Sequence, residues 1–332
     1  MRHIHSSRLH AAGLQMAGEA GTGVLPGPGQ PGFVPAPVGR RASKAPGENS
    51  PVSREKLRQS GILALQRVLI YGSALAVTGF LAGLIIYVVI SALPALDLSL
   101  FSPVYTPDNV SLLPALINTG AMILLALLFA LPPGVLGAIY LTEYTRPGSP
   151  VGAAIGLGAE VLTSVPSIVF GLFGSLFLVR FMNLGMSLLA GSLTMALIIL
   201  PGILRTSQQA LSEVPDDLRQ ASLGLGAGKL RTILRVVLPS ALPGILSGTI
   251  LATGRITGES AALIFTAGTA VNLVPGLDQS ARTLAVHMYT LAGEGLHIPQ
   301  AWATALILLI LVLVLNLAAA GARRAMERKM RG

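Results

Sequence analysis

The chain has 332 residues, of which 52% are hydrophobic and only 11% are charged. Soluble domains carry about 25% charged residues, so this composition excludes a soluble globular protein and predicts an all-α protein embedded in a membrane. The sequence contains no cysteine, which excludes a disulfide framework, a thiolate zinc site and an Fe–S cluster. Most of the basic residues behind the net charge of +9 flank apolar segments. They therefore report membrane orientation and do not indicate nucleic-acid binding.

Residues 1–59 are predicted to form a disordered cytoplasmic tail. The first 50 residues are rich in Gly, Pro, Ser and Ala, and such a segment buries too little apolar surface to offset its chain entropy. It has neither the apolar core nor the cleavage site of a signal peptide. His3, His5 and His10 could bind a metal weakly, but we interpret them as incidental to a flexible tail and predict no metal site.

Six apolar segments reach the length of about 20 residues that a membrane span requires. The third segment contains Glu160 and Pro166, so a straight span and a kinked or re-entrant element both remain open. The first span and its external loop occupy 60–112, the main transmembrane domain occupies 113–321, and a basic cytoplasmic tail follows at 322–332. The predicted spans are 68–93, 114–141, 153–179, 184–204, 240–266 and 300–321.

The basic residues predict the orientation of these spans. If the N-terminus lies inside, 20 of the 23 Lys and Arg residues fall on the cytoplasmic side. The opposite loops contain only Arg180 and Arg282. By the positive-inside rule, both termini are predicted to be cytoplasmic in a multi-pass protein of the bacterial cytoplasmic membrane.

A polar loop at residues 205–239 separates the fourth and fifth spans. Pro215 followed by Asp216 and Asp217 is a favourable helix start, because proline tolerates the first turn and carboxylates stabilise the positive end of the helix dipole. We predict a short amphipathic helix that ends in a glycine-rich turn, and a second helix that leads into the fifth span. The helix has its recurring positions at Leu218, Ala221, Ser222 and Leu225, and the glycines are Gly224, Gly226 and Gly228.

This loop resembles the cytoplasmic EAA loop of ABC-importer permeases. The matching positions are Gln220-Ala221-Ser222, Gly226, Val236 and Leu238-Pro239, although the family pattern usually begins Glu-Ala-Ala and has Ile before Leu-Pro. The resemblance implies a coupling helix that sits in a cleft of the ATPase subunit. A solvated loop without a partner is the alternative. The implied ATPase-coupling residues are Asp217, Arg219, Gln220, Ala221, Ser222 and Gly226.

The loop itself has no nucleotide-binding motif. A P-loop requires Gly-x-x-x-x-Gly-Lys followed by Ser or Thr, but Gly228-Lys229 is followed by Leu230 and position 223 is Leu. The dinucleotide fingerprint fails as well, because the glycines occur at every second position. We therefore expect no cofactor on this chain, with ATP and Mg bound by a partner ATPase.

A second group of polar residues lies within the predicted fifth span. Arg255 and Glu259 are four residues apart and are expected to share one helix face and to form an ion pair. Counting from Pro243, Arg255 lies about 18 Å along the helix, near the middle of the bilayer, where an arginine costs at least about 2.5–3.5 kcal/mol. The pair either joins two helices or lines an anion path, since guanidinium donors match an oxyanion.

The stretch from Arg255 to Gly268 resembles the Arg-x-x-Gly-Glu-Thr-Ala-Pro-Leu-Leu-Phe-Thr-Ala pattern of permeases in phosphate-importing ABC transporters. Ser260 and Ala262 replace the Thr and the Pro of that pattern. The resemblance covers about residues 60–325 and implies the MetI-like fold of type I importers. It also implies a substrate path along Arg255, Glu259 and Ser260.

The leading hypothesis for function is a phosphate-importing ABC permease that performs no covalent chemistry. The implied partners are a homologous second permease, a cytoplasmic ATPase dimer, an external phosphate-binding protein and membrane lipid, without nucleic acid. One alternative keeps this class but changes the cargo to molybdate, sulfate or phosphonate. The others are an ATP-independent secondary transporter or channel, in which inverted repeats are expected, and a structural membrane scaffold.

Overall fold

The computed structural model describes residues 51–146 and 148–331, and these residues are mainly helical, with no strand among them. The N-terminal 50 residues of the predicted tail lie outside the described residues. Short 3-10 turns follow α1, and π-helical turns extend α2 to Tyr144, α4 to Phe181 and α7 to Val237. The helices are α1 (Pro51–Ala92), α2 (Leu113–Ile139), α3 (Pro150–Ser164), α4 (Ser167–Gly174), α5 (Leu188–Ser212), α6 (Asp216–Gly224), α7 (Lys229–Thr232), α8 (Leu238–Gly258), α9 (Ala261–Thr266), α10 (Leu284–Glu294) and α11 (Ile298–Arg331).

The observed helices agree with the predicted all-α membrane fold. Within the described ranges, five helices are long and apolar enough to cross a bilayer, and α3 with α4 makes a sixth if the pair counts as one span. That pair is bent by 98°, so the kinked alternative for the third span is correct. Pro166 has no N–H for a helical hydrogen bond and disfavours helical geometry at Val165, whose backbone is extended at φ −71° and ψ 129°.

Several predicted boundaries were wrong. The helix of the fourth span begins at Leu188 and not at 184, because Ser187 caps the backbone N–H of Ala190, and it continues to Ser212, beyond the predicted end of the span at 204. The fifth span does not run to 266, because α8 ends at Gly258. Residues 51–59, which sequence assigned to the tail, are helical in α1. The predicted external loop 267–299 contains α10, which sequence analysis missed.

α5 is the central helix of the unit formed by residues 70–332. Of its most apolar 18-residue window, 61% is buried, compared with 6% for α1 and for α11. α5 packs against α2 and α8, and its buried side chains join those of both helices in the main apolar core. α1 and α11 therefore turn most of their apolar surface outward, which suits contact with lipid or another subunit.

Two short helices, α4 and α9, lie against each other in parallel. A Cβ placed on Gly171 would come within 2.7 Å of the Ala262 Cα, and one on Gly174 within 2.8 Å of the Thr266 methyl. Because the two glycines are three residues apart and their neighbours four, the helices run in the same direction, and the second turn of α4 lies beside the first turn of α9. The chain breaks at Val165–Pro166 and at Glu259–Ser260 therefore lie within about one helical turn of each other in depth.

Buried polar residues connect the loops on the side opposite α6. Asn118 of α2 donates its Nδ2 to the backbone carbonyls of Asn272 and Arg282, at 3.3 and 3.4 Å. The Arg282 Nε donates to the Thr269 carbonyl at 2.8 Å. Burial, with Arg282 nearby, lowers the pKa of His287 to about 4, so its imidazole is neutral at ordinary pH. These contacts give the segment before α10 a fixed conformation.

The contact between α4 and α9 can be tested with one methyl group. We expect Gly171→Ala to destabilise the protein by about 1–3 kcal/mol, because the added carbon meets backbone atoms that cannot rotate away. The measurement is the thermal unfolding of the detergent-purified transporter. Gly158→Ala in α3 is the matched control, since its added carbon meets nothing within 4 Å. Equal stability of both variants would contradict the close packing.

Candidate functional site

α6 is an exposed helix that stands apart from the apolar core. None of its side chains is buried. It begins at Asp216 after Pro215, with two carboxylates in the first turn, and it ends at Gly224, as the sequence predicted. Gly226 follows with φ +82°, a left-handed backbone conformation that glycine adopts without steric cost. The predicted helix and glycine-rich turn are therefore confirmed.

Arg219 holds α6 against the rest of the protein. Its Nε and Nη2 donate to the Glu143 Oε1 at 3.1 and 3.0 Å, and only 16% and 10% of these two side chains are exposed. The same guanidinium donates to the Asp216 carboxylate and to the carbonyls of Leu211 and Val214. Sequence analysis predicted Arg219 as an ATPase-coupling residue. The structure places it on the inner side of α6, where its donors already have internal partners.

Two further contacts fix the turn after α6. The Ser222 hydroxyl lies 2.9 Å from the hydroxyl of Thr232, so this predicted coupling residue also faces inward. The Lys229 ammonium donates to the Glu143 carbonyl and lies 4.6 Å from the centre of the Tyr144 ring. Glu143 and Tyr144 belong to the π-helical turn that ends α2. The end of α2 therefore contacts both sides of the α6 turn.

The outward side of the loop combines polar and apolar residues. Of the predicted coupling residues, Asp217, Gln220, Ala221 and Gly226 are exposed. Leu225 is 90% exposed, and three other leucines of this loop are exposed as well; exposed apolar side chains on a polar segment are typical of an interaction surface. We name this set the coupling surface. It comprises Asp217, Leu218, Gln220, Ala221, Leu223, Leu225, Gly226 and Leu230.

The break after α8 changes the expected role of Glu259. The backbone of Glu259 is extended, at φ −77° and ψ 127°, so Arg255 and Glu259 do not share one helix face. The Glu259 Oε1 instead accepts the backbone N–H of Ala262 at 3.2 Å, which stabilises the first turn of α9. The described residues contain no ion pair between Arg255 and Glu259. The prediction of an Arg255–Glu259 ion pair was therefore wrong, because α8 ends at Gly258, one residue before Glu259.

Arg255 is exposed on the surface of α8, three residues before the helix ends. Within the described part of the chain it makes no hydrogen bond or ion pair. Glu259 and Ser260, which follow it by four and five residues, are half-buried. A charged group inside a span is costly against lipid and is normally found facing a water-filled cavity or a polar partner. The three predicted substrate-path residues thus lie together at the break between α8 and α9.

An ion pair in the cleft between α3 and α5 was not predicted from sequence. The Arg205 Nη2 lies 3.3 Å from the Glu160 Oε2, and Gln208 and Ser212 line the same cleft. Glu160 lies on α3 and Arg205 on α5, 45 residues apart. Each charge was visible in the sequence, but only the packing of α3 on α5 brings them together.

No candidate metal site is evident in the part of the chain that the structure describes. Groups of three or more His, Cys, Asp or Glu side chains able to hold a metal ion are absent from these residues. That ATP and magnesium are bound by another subunit stays a prediction.

Comparisons with known sequences connect this geometry to one family. The family model for "Binding-protein-dependent transport system inner membrane component" matches residues 134–332. A probable ABC transporter permease, YqgI of Bacillus subtilis, is 35% identical over 250 residues, which cover 70% of this chain and 83% of that protein. The phosphate transport system permease PstA of Xylella fastidiosa strain Temecula1 is 33% identical over 177 residues, covering 53% of this chain and 61% of that protein. A PstA homologue of Mycoplasma pneumoniae is 33% identical over 217 residues, covering 64% of this chain but 33% of that protein.

Solved structures show the same fold. The inward-facing MetNI methionine ABC transporter matches with a TM-score of 0.55 and 23% identity, over 65% of this chain and 95% of the matched chain. A bacterial alginate ABC transporter in complex with its alginate-bound periplasmic protein matches with a TM-score of 0.57 and 16% identity, over 83% and 96%. At these identities the likeness concerns the fold alone. The chain belongs to the family of binding-protein-dependent transport system inner-membrane components, as a multi-pass ABC-transporter permease, which is a membrane transport component.

Proposed function

We propose that this chain is one of two homologous permease subunits in an ABC importer that carries inorganic phosphate across the bacterial cytoplasmic membrane. Arg255 is the observation that carries the proposal. Its guanidinium is exposed within a membrane span and has no internal partner among the described residues. Exposure to lipid would be costly, so a polar path or subunit interface is the stable environment for it.

Phosphate is the cargo that best fits both the site and the relatives. A guanidinium presents planar, paired donors that match the oxygens of a phosphate. Several relatives at 32–35% identity are phosphate transport permeases by name. Solved transporters of similar fold import methionine and alginate, so fold does not determine cargo. Another oxyanion, such as molybdate, sulfate or phosphonate, is the alternative.

Glu259 supports this proposal by leaving Arg255 unpaired. Its carboxylate is engaged at the start of α9 and therefore does not neutralise the guanidinium. The Arg205–Glu160 pair lies at the end of the α3–α5 cleft away from Ser212, in the half of α5 that leads into the loop with α6. The Arg205 side chain is already 47% exposed, and opening the pair would free a second guanidinium, so we assign it to the path by which the anion leaves.

The free energy of ATP hydrolysis in the partner would be transmitted to this chain through the coupling surface. The partner ATPase dimer would bind α6 from the cytoplasm, with an external phosphate-binding protein on the opposite side and both termini of this chain in the cytoplasm. Arg219 joins α6 to the end of α2, and α2 packs on the central α5. A displacement of α6 would therefore reach the spans that flank the path. This internal connection between an exposed helix and the spans favours the ABC mechanism over an ATP-independent transporter.

Replacement of Arg255 tests the anion path. We expect Arg255→Ala to lower the rate of ATP-dependent phosphate uptake by about ten- to a hundredfold, because a hydrogen bond to a charged group is worth about 1.5–3 kcal/mol. Arg255→Lys should recover only part of the rate, since it keeps the charge but not the paired donors. The measurement is uptake of radiolabelled phosphate by proteoliposomes that contain the assembled transporter.

The control for this experiment is Arg180→Ala, which removes the same charge from an exposed residue at the end of the π-helical turn. That variant should transport phosphate normally. Unchanged uptake by Arg255→Ala would contradict the proposed path. Stronger inhibition of labelled-phosphate uptake by molybdate, sulfate or phosphonate than by the same concentration of unlabelled phosphate would show that the path exists and that the cargo is another oxyanion.

A double-mutant cycle tests whether Arg219 positions α6. Glu143→Gln and Arg219→Gln should each weaken binding of the ATPase subunit to the permease. Their combined effect should be smaller than the sum by about 0.5–3 kcal/mol, because both remove the same contact. The measurement is the affinity of the purified ATPase for the reconstituted permease subunits.

Gln220→Ala supplies the comparison, because Gln220 is adjacent in sequence but exposed on the coupling surface. Its effect on ATPase binding should add to that of Glu143→Gln, since the two side chains share no hydrogen-bond partner and such sites are usually independent. If Arg219→Gln and Glu143→Gln are additive instead, Arg219 contacts the ATPase directly and the internal role is wrong.

A further inference from the structure

The cleft between α3 and α5 has the size of a ligand site and reaches well into the span. Its volume is about 790 Å³, within the range of small-molecule sites. Ser212, the last residue of α5, lies at its end on the side of α6. Arg205 is seven residues before that end and Glu160 is ten residues after the start of α3. Their ion pair is therefore about 10–15 Å inside the helix ends, where charges normally face water or protein.

Three polar residues of α5 line this cleft from one helix face. Arg205, Gln208 and Ser212 are spaced by three and four residues, which places them one above another over about 10 Å. In the described part of the chain, the side chains of Gln208 and Ser212 make no hydrogen bond. Of the five Arg205 donors, only those of Nη2 have partners among these residues. The face thus presents a row of free donors.

The α3 wall of the cleft supplies few acceptors for these donors. Apart from Glu160, it is lined by small or apolar residues, which are Ala153, Gly156, Leu157 and Ala159. On α5, Gln209 also lines the cleft, but its amide nitrogen already donates to the Glu213 carboxylate at 3.1 Å. Free donors that include a guanidinium, with one carboxylate opposite them, suit an anion whose oxygens accept several hydrogen bonds.

Glu160 is a weak internal partner for Arg205. The pair has a single contact between charged atoms, at 3.3 Å, and both side chains are exposed. Exposed ion pairs contribute little free energy because water screens them. A phosphate ion carries more negative charge and more acceptor oxygens than one carboxylate. It can therefore replace Glu160 at the guanidinium, and the carboxylate can return when the ion leaves.

We propose that Arg205, Gln208 and Ser212 form an exit site for inorganic phosphate, and that Glu160 competes with the ion for Arg205. This inference rests on the proposed function, since it assumes that phosphate is the cargo. The ion would pass from Arg205 along Gln208 to Ser212 and then to the cytoplasm. By competing for the guanidinium, Glu160 lowers the affinity of the exit site and so speeds the release of the ion.

Protection of a single thiol measures binding at the exit site. Ala153 lines the cleft from α3 and supplies none of the proposed contacts. The chain contains no cysteine, so Ala153→Cys gives this subunit one thiol. In the purified, assembled transporter, labelling of the subunit by a charged maleimide is followed by mass spectrometry. We expect inorganic phosphate to slow the labelling and sodium chloride at equal ionic strength to leave it unchanged.

Charge variants in the Ala153→Cys background separate the two roles. Arg205→Gln should raise the phosphate concentration for half-maximal protection by at least about tenfold, the factor for one charge-assisted hydrogen bond. Glu160→Gln should lower it by about three- to fivefold, because it removes an exposed competitor. Glu213→Gln is the matched control. It removes the same charge from a nearby exposed residue that does not line this cleft, so the concentration should not change.

The variants also identify the results that would overturn the exit site. These are protection that persists in Arg205→Gln, or a Glu160→Gln variant that binds phosphate no better than Glu213→Gln. Protection by micellar phosphatidylglycerol but not by inorganic phosphate would identify a lipid site and would overturn it as well. If Arg205→Gln does not assemble, Glu160→Gln decides, since it preserves the shape of the cleft.

The outcome can be separated from the test of Arg255. If Arg255→Ala abolishes phosphate uptake but phosphate does not protect the thiol at position 153, the exit site alone is wrong. If Arg255→Ala transports normally while phosphate still protects that thiol, the exit site is correct and the anion path at the break after α8 is wrong.

Discussion

The close approach of α4 to α9 is the contact on which the central part of this permease depends. At Gly171 the two backbones are so near that a single added carbon would lie 2.7 Å from the Ala262 Cα. This contact aligns two chain breaks, one imposed by Pro166 and the other at Glu259. Breaks of this kind leave backbone groups without helical partners, which a bilayer tolerates only where protein or water satisfies them. Arg255 lies beside one of these breaks, where the same protein or water groups can also solvate its charge.

The second important contact is the ion pair between Arg219 and Glu143, which joins α6 to the end of α2. A coupling helix transmits force only if it is firmly attached to the spans, and an exposed helix of nine residues is not stable by itself. Arg219 supplies that attachment through contacts with a carboxylate and with carbonyls at the end of α5. The coupling surface therefore contains fewer of the motif residues than the family resemblance implied, and more leucines.

Two local features explain the parts of the fold that the sequence predicted: the length of the apolar segments and the residues that favour the start of a helix. The second span was expected at 114–141, close to Leu113–Ile139, because a bilayer requires a long uninterrupted apolar helix. α6 was predicted because Pro215 and the following aspartates act locally. The bend angle after Ser164, the extended backbone of Glu259 and the pairing of Arg205 with Glu160 depend on contacts between distant segments. Spacing along the chain contains no information about those contacts.

Thiol labelling at Ser260 tests the central claim that the break after α8 faces an anion path. The chain contains no cysteine, so Ser260→Cys introduces the only thiol of this subunit. In the assembled transporter, we expect a charged, membrane-impermeant thiol reagent to label this residue and saturating inorganic phosphate to slow the labelling. Labelling by a lipid-soluble maleimide alone, at a rate that phosphate does not change, would place the break against lipid and contradict the account.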